Sequence, residues 1–181
     1  RGVGIAWGGF NVTEGGGDSA EVALELMPGN KIRKYDTWHA MGQGATTGSL
    51  VVTLEALKEM HLTPEDIQLI QNDTKTCPDT GMAGASRSLY MDGNATIIAA
   101  NKLLAAMRKE DGTLRTYDEM KAEGIETKYL GRYETNTTPG LCRLDPNTGI
   151  GDPTPAFTYC LNLAEVEVDT KTGKTTVLKF T

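Results

Sequence analysis

The stretch Lys31-Ile-Arg-Lys-Tyr-Asp-Thr-Trp-His-Ala-Met-Gly-Gln-Gly-Ala-Thr-Thr-Gly-Ser-Leu50 changes character twice. It opens as an extended run from Lys31 to Trp38 and passes through the turn Met41-Gly-Gln-Gly44. Apolar residues then recur at three- and four-residue steps, at Leu50, Val51, Leu54, Leu57 and Met60, which is the period of an amphipathic helix. A strand that feeds a helix through glycines predicts a mixed α/β architecture.

The surrounding sequence extends that reading. Glu21 to Leu26 is a second extended run, joined to the first across Pro28-Gly-Asn30, so the two form a hairpin with a longer loop. His61-Leu-Thr63-Pro64 ends the helix, and Thr63-Pro-Glu-Asp66 has the form of a short capped turn. Ile67 to Gln71 reads as a strand, and Thr74 to Arg87 as irregular. A long helix follows from Ser88 to Arg108, with Ile97, Ala100, Leu104 and Met107 as its apolar stripe, stopped by Asp111-Gly112. Thr116 caps a short helix to Glu123, and Tyr129 to Tyr133 is extended. Ala156 to Val168 and Thr175 to Phe180 form a hairpin through Asp169–Gly173. Gly8 to Ser19, centred on Gly15-Gly-Gly17, and Asn136 to Pro155 read as loops. The expected fold is α/β of the mixed α+β kind: β-hairpins and a mixed sheet packed with two main helices, without a repeat of 20–50 residues.

The 181 residues suit one domain and can bury a core without staples. With 18 Lys and Arg against 24 Asp and Glu, the net charge of −6 argues against nucleic acid as a partner. No apolar run approaches the roughly 20 residues of a membrane-spanning helix. Cys77, Cys142 and Cys160 are too irregularly spaced for a disulfide framework or a zinc site, and two histidines leave little for metal ligation. A cytoplasmic setting is the default expectation. Arg1 leads straight into the apolar stretch Gly2–Trp7, and Val177–Phe180 still alternates like a strand, so residues 1–181 read as one domain excised from a longer chain.

Two loop-to-helix junctions carry chemistry. At the first, Gly42 and Gly44 let backbone approach a ligand, and the following helix offers free N–H groups and the positive end of its dipole. Gln43 adds an amide, and Thr46, Thr47 and Ser49 add hydroxyls. The P-loop lysine is missing and the G-x-G-x-x-G spacing is not met. At the second, Gly84-Ala-Ser-Arg-Ser88 places small residues, two hydroxyls and Arg87 where the long helix begins, an arrangement suited to a phosphate. Ordinary capped turns are the alternative at both. His39 beside the first junction and Cys77 before Pro78 read as structural. The N-x-Ser/Thr matches at Asn11, Asn72, Asn94 and Asn136 are background. No catalytic acid, base or nucleophile and no direct metal ligand stands out.

Taken in order, Met41-Gly-Gln-Gly44, Asn72-Asp-Thr-Lys-Thr76 with Pro78-Asp-Thr80, Gly84-Ala-Ser-Arg-Ser88 and Ala164-Glu-Val-Glu-Val168 resemble the molybdenum hydroxylases, the xanthine oxidase and aldehyde oxidoreductase family. Met107-Arg-Lys-Glu-Asp-Gly112 and Thr116-Tyr-Asp-Glu-Met-Lys121 look most like the bacterial aldehyde oxidoreductases. The resemblance implies part of a molybdopterin-binding region. Met41, Gly42, Gln43 and Gly44 would lie against the molybdenum and pterin, while Gly84, Ala85, Ser86, Arg87 and Ser88 would grip the pterin and its pyrophosphate. It further implies a cytosine dinucleotide form of the cofactor and hydroxylation of an aldehyde or heterocycle carbon with water-derived oxygen. Electron exit would run through 2Fe-2S clusters in the remainder of the parent enzyme. The family's glycine-valine-glycine-glutamate motif does not occur in these residues, so the isolated chain is expected to be inactive. A stand-alone nucleotide- or phosphate-binding module and a structural assembly domain are the rival readings.

Overall fold

In the computed structural model, which describes residues 1–12, 17–135, 144–154 and 156–181, the expected hairpin is present. Strand β2 (Ser19–Met27) pairs antiparallel with β3 (Lys31–Asp36) across a turn at Pro28–Asn30. Gly29 takes a positive φ of 75° there, a conformation that suits glycine. Helix α1 (Ala45–Ala56) then returns the chain so that β4 (Ile67–Gln71) lies parallel to β3, Ile32 opposite Ile67 and Asp36 opposite Gln71. Helix α2 (Arg87–Met107) and the short α3 (Tyr117–Ala122) follow, and β5 (Lys128–Glu134) completes a four-stranded sheet in the order β4-β3-β2-β5.

This sheet is covered by α2, which packs on β2 and β5 and against α1. Leu24, Leu26 and Ile32 from the strands meet Leu57, Ala99, Leu103, Met107 and Met120 in the main buried cluster. The closest approach is at Gly131 in β5, where a methyl group would sit 2.0 Å from the carbonyl oxygen of Ala95. Only glycine lets the helix lie that near the strand.

Most of each expected stripe lies in the core: Leu57, Ala100, Leu104 and Met107 are buried, and Leu50, Leu54 and Met60 pack against them. In α1 the buried positions are Ala45, Ser49 and Thr53, while Val51 is exposed. In α2 the buried face runs through Met91, Asp92, Ala95, Thr96, Ala99, Ala100, Leu103, Leu104 and Met107, and Ile97 is exposed. The buried faces are broader than the apolar stripes and also take in the polar residues Ser49, Thr53, Asp92 and Thr96.

A second sheet has the order β1-β6-β7, with β1 (Gly2–Val12), β6 (Ala156–Val168) and β7 (Thr175–Phe180). The first residues of the expected Gly8–Ser19 loop are therefore strand: β1 stays in register with β6 from Gly2 opposite Val166 to Val12 opposite Ala156. Gly8 and Gly9 are tolerated because the ladder is set by β6, a long strand distant in sequence. Directly paired residues share a face: Ile5 stands opposite Leu163 and Trp7 opposite Leu161, with Val3 and Tyr159 on the same face. Trp7, Leu161 and Tyr159 are exposed. Gly15, Gly16 and residues 136–143 and 155 of the expected 136–155 loop, Asn136 and Cys142 among them, lie outside the described residues.

Candidate functional site

Strands β3 and β4 are parallel neighbours, and each feeds a helix from its carboxyl end. Both loop-to-helix junctions therefore emerge at the same end of the sheet, the place where ligands bind in open α/β sheets. Thr37 and Thr80 tie the two together reciprocally. The Thr37 N–H donates to Thr80 Oγ1 at 2.9 Å and the Thr80 N–H to Thr37 Oγ1 at 3.0 Å. The junctions meet in one cleft of about 300 Å³. Its wall includes Trp38, Met41, Gln43 and Gly44 from the first junction and Gly84, Ser86 and Ser88 from the second.

The first junction is built on left-handed glycines, with φ of 100° at Gly42 and 83° at Gly44. No atom lies within 4 Å of where a Cβ would stand on either, so open space rather than protein faces them. Gly44 is the N-cap of α1, and no side chain caps that end. Gln43 Nε2 donates to the His39 carbonyl at 3.1 Å, and its Oε1 accepts from the Met41 N–H. The amide thus shapes its own loop and keeps one N–H hydrogen for another partner. Met41 is 74% exposed at the cleft. Two of the three hydroxyls expected to face a ligand are engaged within the protein: the buried Ser49 Oγ donates to Asp36 Oδ2 at 3.0 Å, and the exposed Thr46 Oγ1 to Gln71 Oε1 at 3.2 Å.

The second junction uses non-glycine residues in the same left-handed region. Ala85 has φ 47° and Ser86, the N-cap of α2, has φ 53° with no side-chain cap bond. Such positions are unfavourable for residues with a Cβ and persist where surrounding contacts hold them. Neither α1 nor α2 carries an acidic residue in its first turn, so no side chain there opposes an anion.

The expectation that the Arg87 side chain grips a phosphate is corrected by its hydrogen bonds. Its Nε and Nη2 form a bidentate pair with the two oxygens of Asp18 at 2.6 and 2.8 Å. Nη2 also donates to the Ser19 carbonyl, and Nη1 donates to the carbonyls of Thr80 and Met82. A guanidinium has five N–H donors, and all five are engaged inside the protein. Arg87 is buried, and Gly81 makes room for it: a Cβ at Gly81 would stand 2.8 Å from both terminal nitrogens.

Beneath the cleft lies a buried charged cluster that the sequence pattern does not mark. Lys34, Asp36 and Asp92 are fully buried. Lys34 Nζ lies 2.6 Å from Asp92 and 3.5 Å from Asp36. Asp36 also accepts from the Trp38 N–H and from Gln71 Nε2, which ties the cluster to the root of the first junction. Burial pushes the Asp92 carboxyl up to about 6, against the opposing pull of Lys34. The alternation of β3 places Lys34 and Asp36 on one face, but only the helix packing reveals Asp92 as their partner.

Among other candidate residues, His39 is exposed, and the half-buried Cys77 donates its thiol to the Ile70 carbonyl. Among the described residues no cluster of three His, Cys, Asp or Glu could hold a metal ion directly, and no helix is long and apolar enough to cross a membrane.

The family model of the molybdopterin cofactor-binding domain matches residues 1–181. This chain belongs to that family. The aldehyde oxidoreductase of Megalodesulfovibrio gigas is 38% identical over 177 residues, which cover 98% of this chain and 19% of that protein. The crystal structure of the aldehyde oxidoreductase from Desulfovibrio desulfuricans superposes with a TM-score of 0.88 at 39% identity, over 99% of this chain and 19% of that one. A Cu,Mo-CO dehydrogenase shares the fold at a TM-score of 0.69 and 16% identity. The chain thus spans about a fifth of the length of the aldehyde oxidoreductases it matches.

The cleft of this molybdopterin-binding chain fits an anionic pterin cofactor on three counts. Gly42 and Gly44 leave space for close backbone approach, and two helix N-termini point to one cleft without side-chain caps. Trp38, a residue of the cleft wall only 4% exposed, has an indole N–H with no protein partner. A buried donor left unpaired is unfavourable, and a bound acceptor would satisfy it.

Proposed function

We propose that residues 1–181 form one wall of the molybdenum cofactor site in an oxidoreductase of the aldehyde oxidase and xanthine dehydrogenase type, acting on an aldehyde or a heterocycle. The observation that carries this reading is the convergence of two uncapped helix N-termini on one cleft. Gly42, Gln43 and Gly44 lie against the pterin, with Met41 at the substrate side. Gly84, Ala85, Ser86 and Ser88 bind the pyrophosphate of a cytosine dinucleotide form through backbone N–H groups and hydroxyls. Arg87 serves the same turn from within the protein, as its engaged donors require.

When bound, the cofactor supplies the two-electron oxidation that leads to hydroxylation with water-derived oxygen. The chain's own part is to bind and orient. Among the described residues lining the cleft, none is a carboxylate, histidine, lysine or cysteine. Proton transfer therefore belongs to the remainder of the parent enzyme, as do the 2Fe-2S clusters and most of the substrate pocket, and the isolated chain is inactive. The acidic balance disfavours nucleic acid, and the reading places the enzyme in the cytoplasm.

The test is molybdenum and cytidine-pterin analysis of the full-length polypeptide, with aldehyde-dependent dye reduction measured in parallel. One molybdenum per polypeptide with turnover, and neither in residues 1–181 alone, is expected. Steady turnover by residues 1–181 would contradict the division of labour. A full-length polypeptide that binds a simple nucleotide and no molybdenum would favour the nucleotide-module reading.

A further inference from the structure

We propose that Asp18 and Arg87 are a positioning pair that sets the shape of the second junction before any cofactor arrives. This rests on the cleft reading above and adds to it a device outside the cleft wall. Arg87 is the first residue of α2, and its guanidinium reaches back to the carbonyls of Thr80 and Met82. It therefore straps together the two ends of the segment that contains Gly84, Ala85 and Ser86. Asp18 and the Ser19 carbonyl anchor the strap to the start of β2, with Asp18 69 residues from Arg87 in sequence.

Three features point to shape rather than simple filling. The segment under the strap holds two consecutive left-handed residues with side chains, Ala85 and Ser86, which need outside support. Gly81 combines a φ of 79° with a Cβ position 2.8 Å from the guanidinium, so chain and side chain are fitted to each other. The bidentate geometry fixes the guanidinium plane as well as its position, which a lysine ammonium could not do. The Ser86 and Ser88 hydroxyls and the start of α2 are thereby held at the cleft, while the positive charge of Arg87 is spent on Asp18.

The experiment uses the full-length polypeptide with its cofactor. Arg87→Lys and Asp18→Asn are compared with Met120→Ala, a change on α3 within the buried cluster and outside the cleft wall. The readouts are the rate of pterin release on dialysis and the thermal midpoint of the cofactor-free form. Gly81→Ala, which displaces the guanidinium without removing a charge, gives a second route should either charge variant fail to accumulate. Release at least tenfold faster than in the Met120→Ala control, at a matched thermal midpoint, is the expected result. Release no faster than in that control would overturn the positioning role and leave the cleft reading intact. A wild type that holds no pterin would overturn the cleft reading and this role together.

Discussion

Helix α3 and the pair α1 and α2 begin in opposite ways. At α3, Thr116 and Glu119 close a capping box, the Glu119 N–H donating to Thr116 Oγ1 and the Thr116 N–H to the Glu119 carboxylate at 2.7 Å. Asp118 and Glu119 add negative charge to that first turn, and Lys109 and the Thr116 backbone hold the Glu119 carboxyl down to about 2. At α1 and α2 the N-caps are left-handed, no side chain caps them and neither first turn is acidic. The same chain can build a finished helix start, and the two unfinished ones, facing one cleft, are where the proposed anionic cofactor would complete the structure.

The largest effect that could sharpen this contrast is at Arg87. Arg87→Met removes the guanidinium's bonds to the partly buried Asp18 carboxylate and to three carbonyls, and a loss of about 3 kcal/mol is expected for breaking such a pair. Urea unfolding of the full-length polypeptide, read at the transition that includes this domain, checks it. A loss under about 1 kcal/mol, the range of exposed pairs, would mean that the strap is not holding the turn.

The next effect separates finished from unfinished helix starts. Thr116→Ala removes a working cap, with an expected cost of about 1 kcal/mol. That corresponds to roughly fivefold faster amide exchange in the first turn of α3. Ser86→Ala removes no cap bond and should change exchange in the first turn of α2, in the cofactor-free protein, by less than about twofold. Equal acceleration at both sites would erase the distinction.

A smaller, pH-dependent effect tests the floor beneath the cleft. The folded-state pKa of Asp92 lies above the ordinary carboxylate value, so the folded protein holds this proton more tightly than the unfolded chain does. Its contribution to stability is complete below the unfolded pKa and is lost as pH rises through about 6. Compared with Asp92→Asn, the wild type should therefore lose ground between pH 5 and pH 7 in thermal unfolding. A change in the opposite direction would mean that Lys34 holds the carboxylate more strongly than burial opposes it.

Local signals made much of this structure legible. The β2–β3 hairpin, the strand from Ile67 to Gln71, the Thr116 cap and the glycine-marked start of α1 all follow from residues within a few positions of each other. The two junctions were visible for the same reason. The misses have long-range causes. Gly8 and Gly9 suggest a loop until β6 pairs with them, and Arg87 looks like an anion ligand until Asp18 closes on it from the start of β2. Ser49 reads as a hydroxyl offered to a ligand, yet it donates to Asp36 in a buried cluster with Lys34 and Asp92 brought together by the sheet and α2. Parallel pairing of β3 with β4, which places both junctions at one end, depends on the crossover through α1 and has no local signature.

The most direct test of the central claim is a structure of the full-length polypeptide with its cofactor bound. The account predicts phosphate oxygens within about 3 Å of backbone N–H groups at the start of α2, and pterin atoms against Gly42 to Gly44. A cofactor seated elsewhere, with both helix starts capped by protein or facing only water, would contradict it.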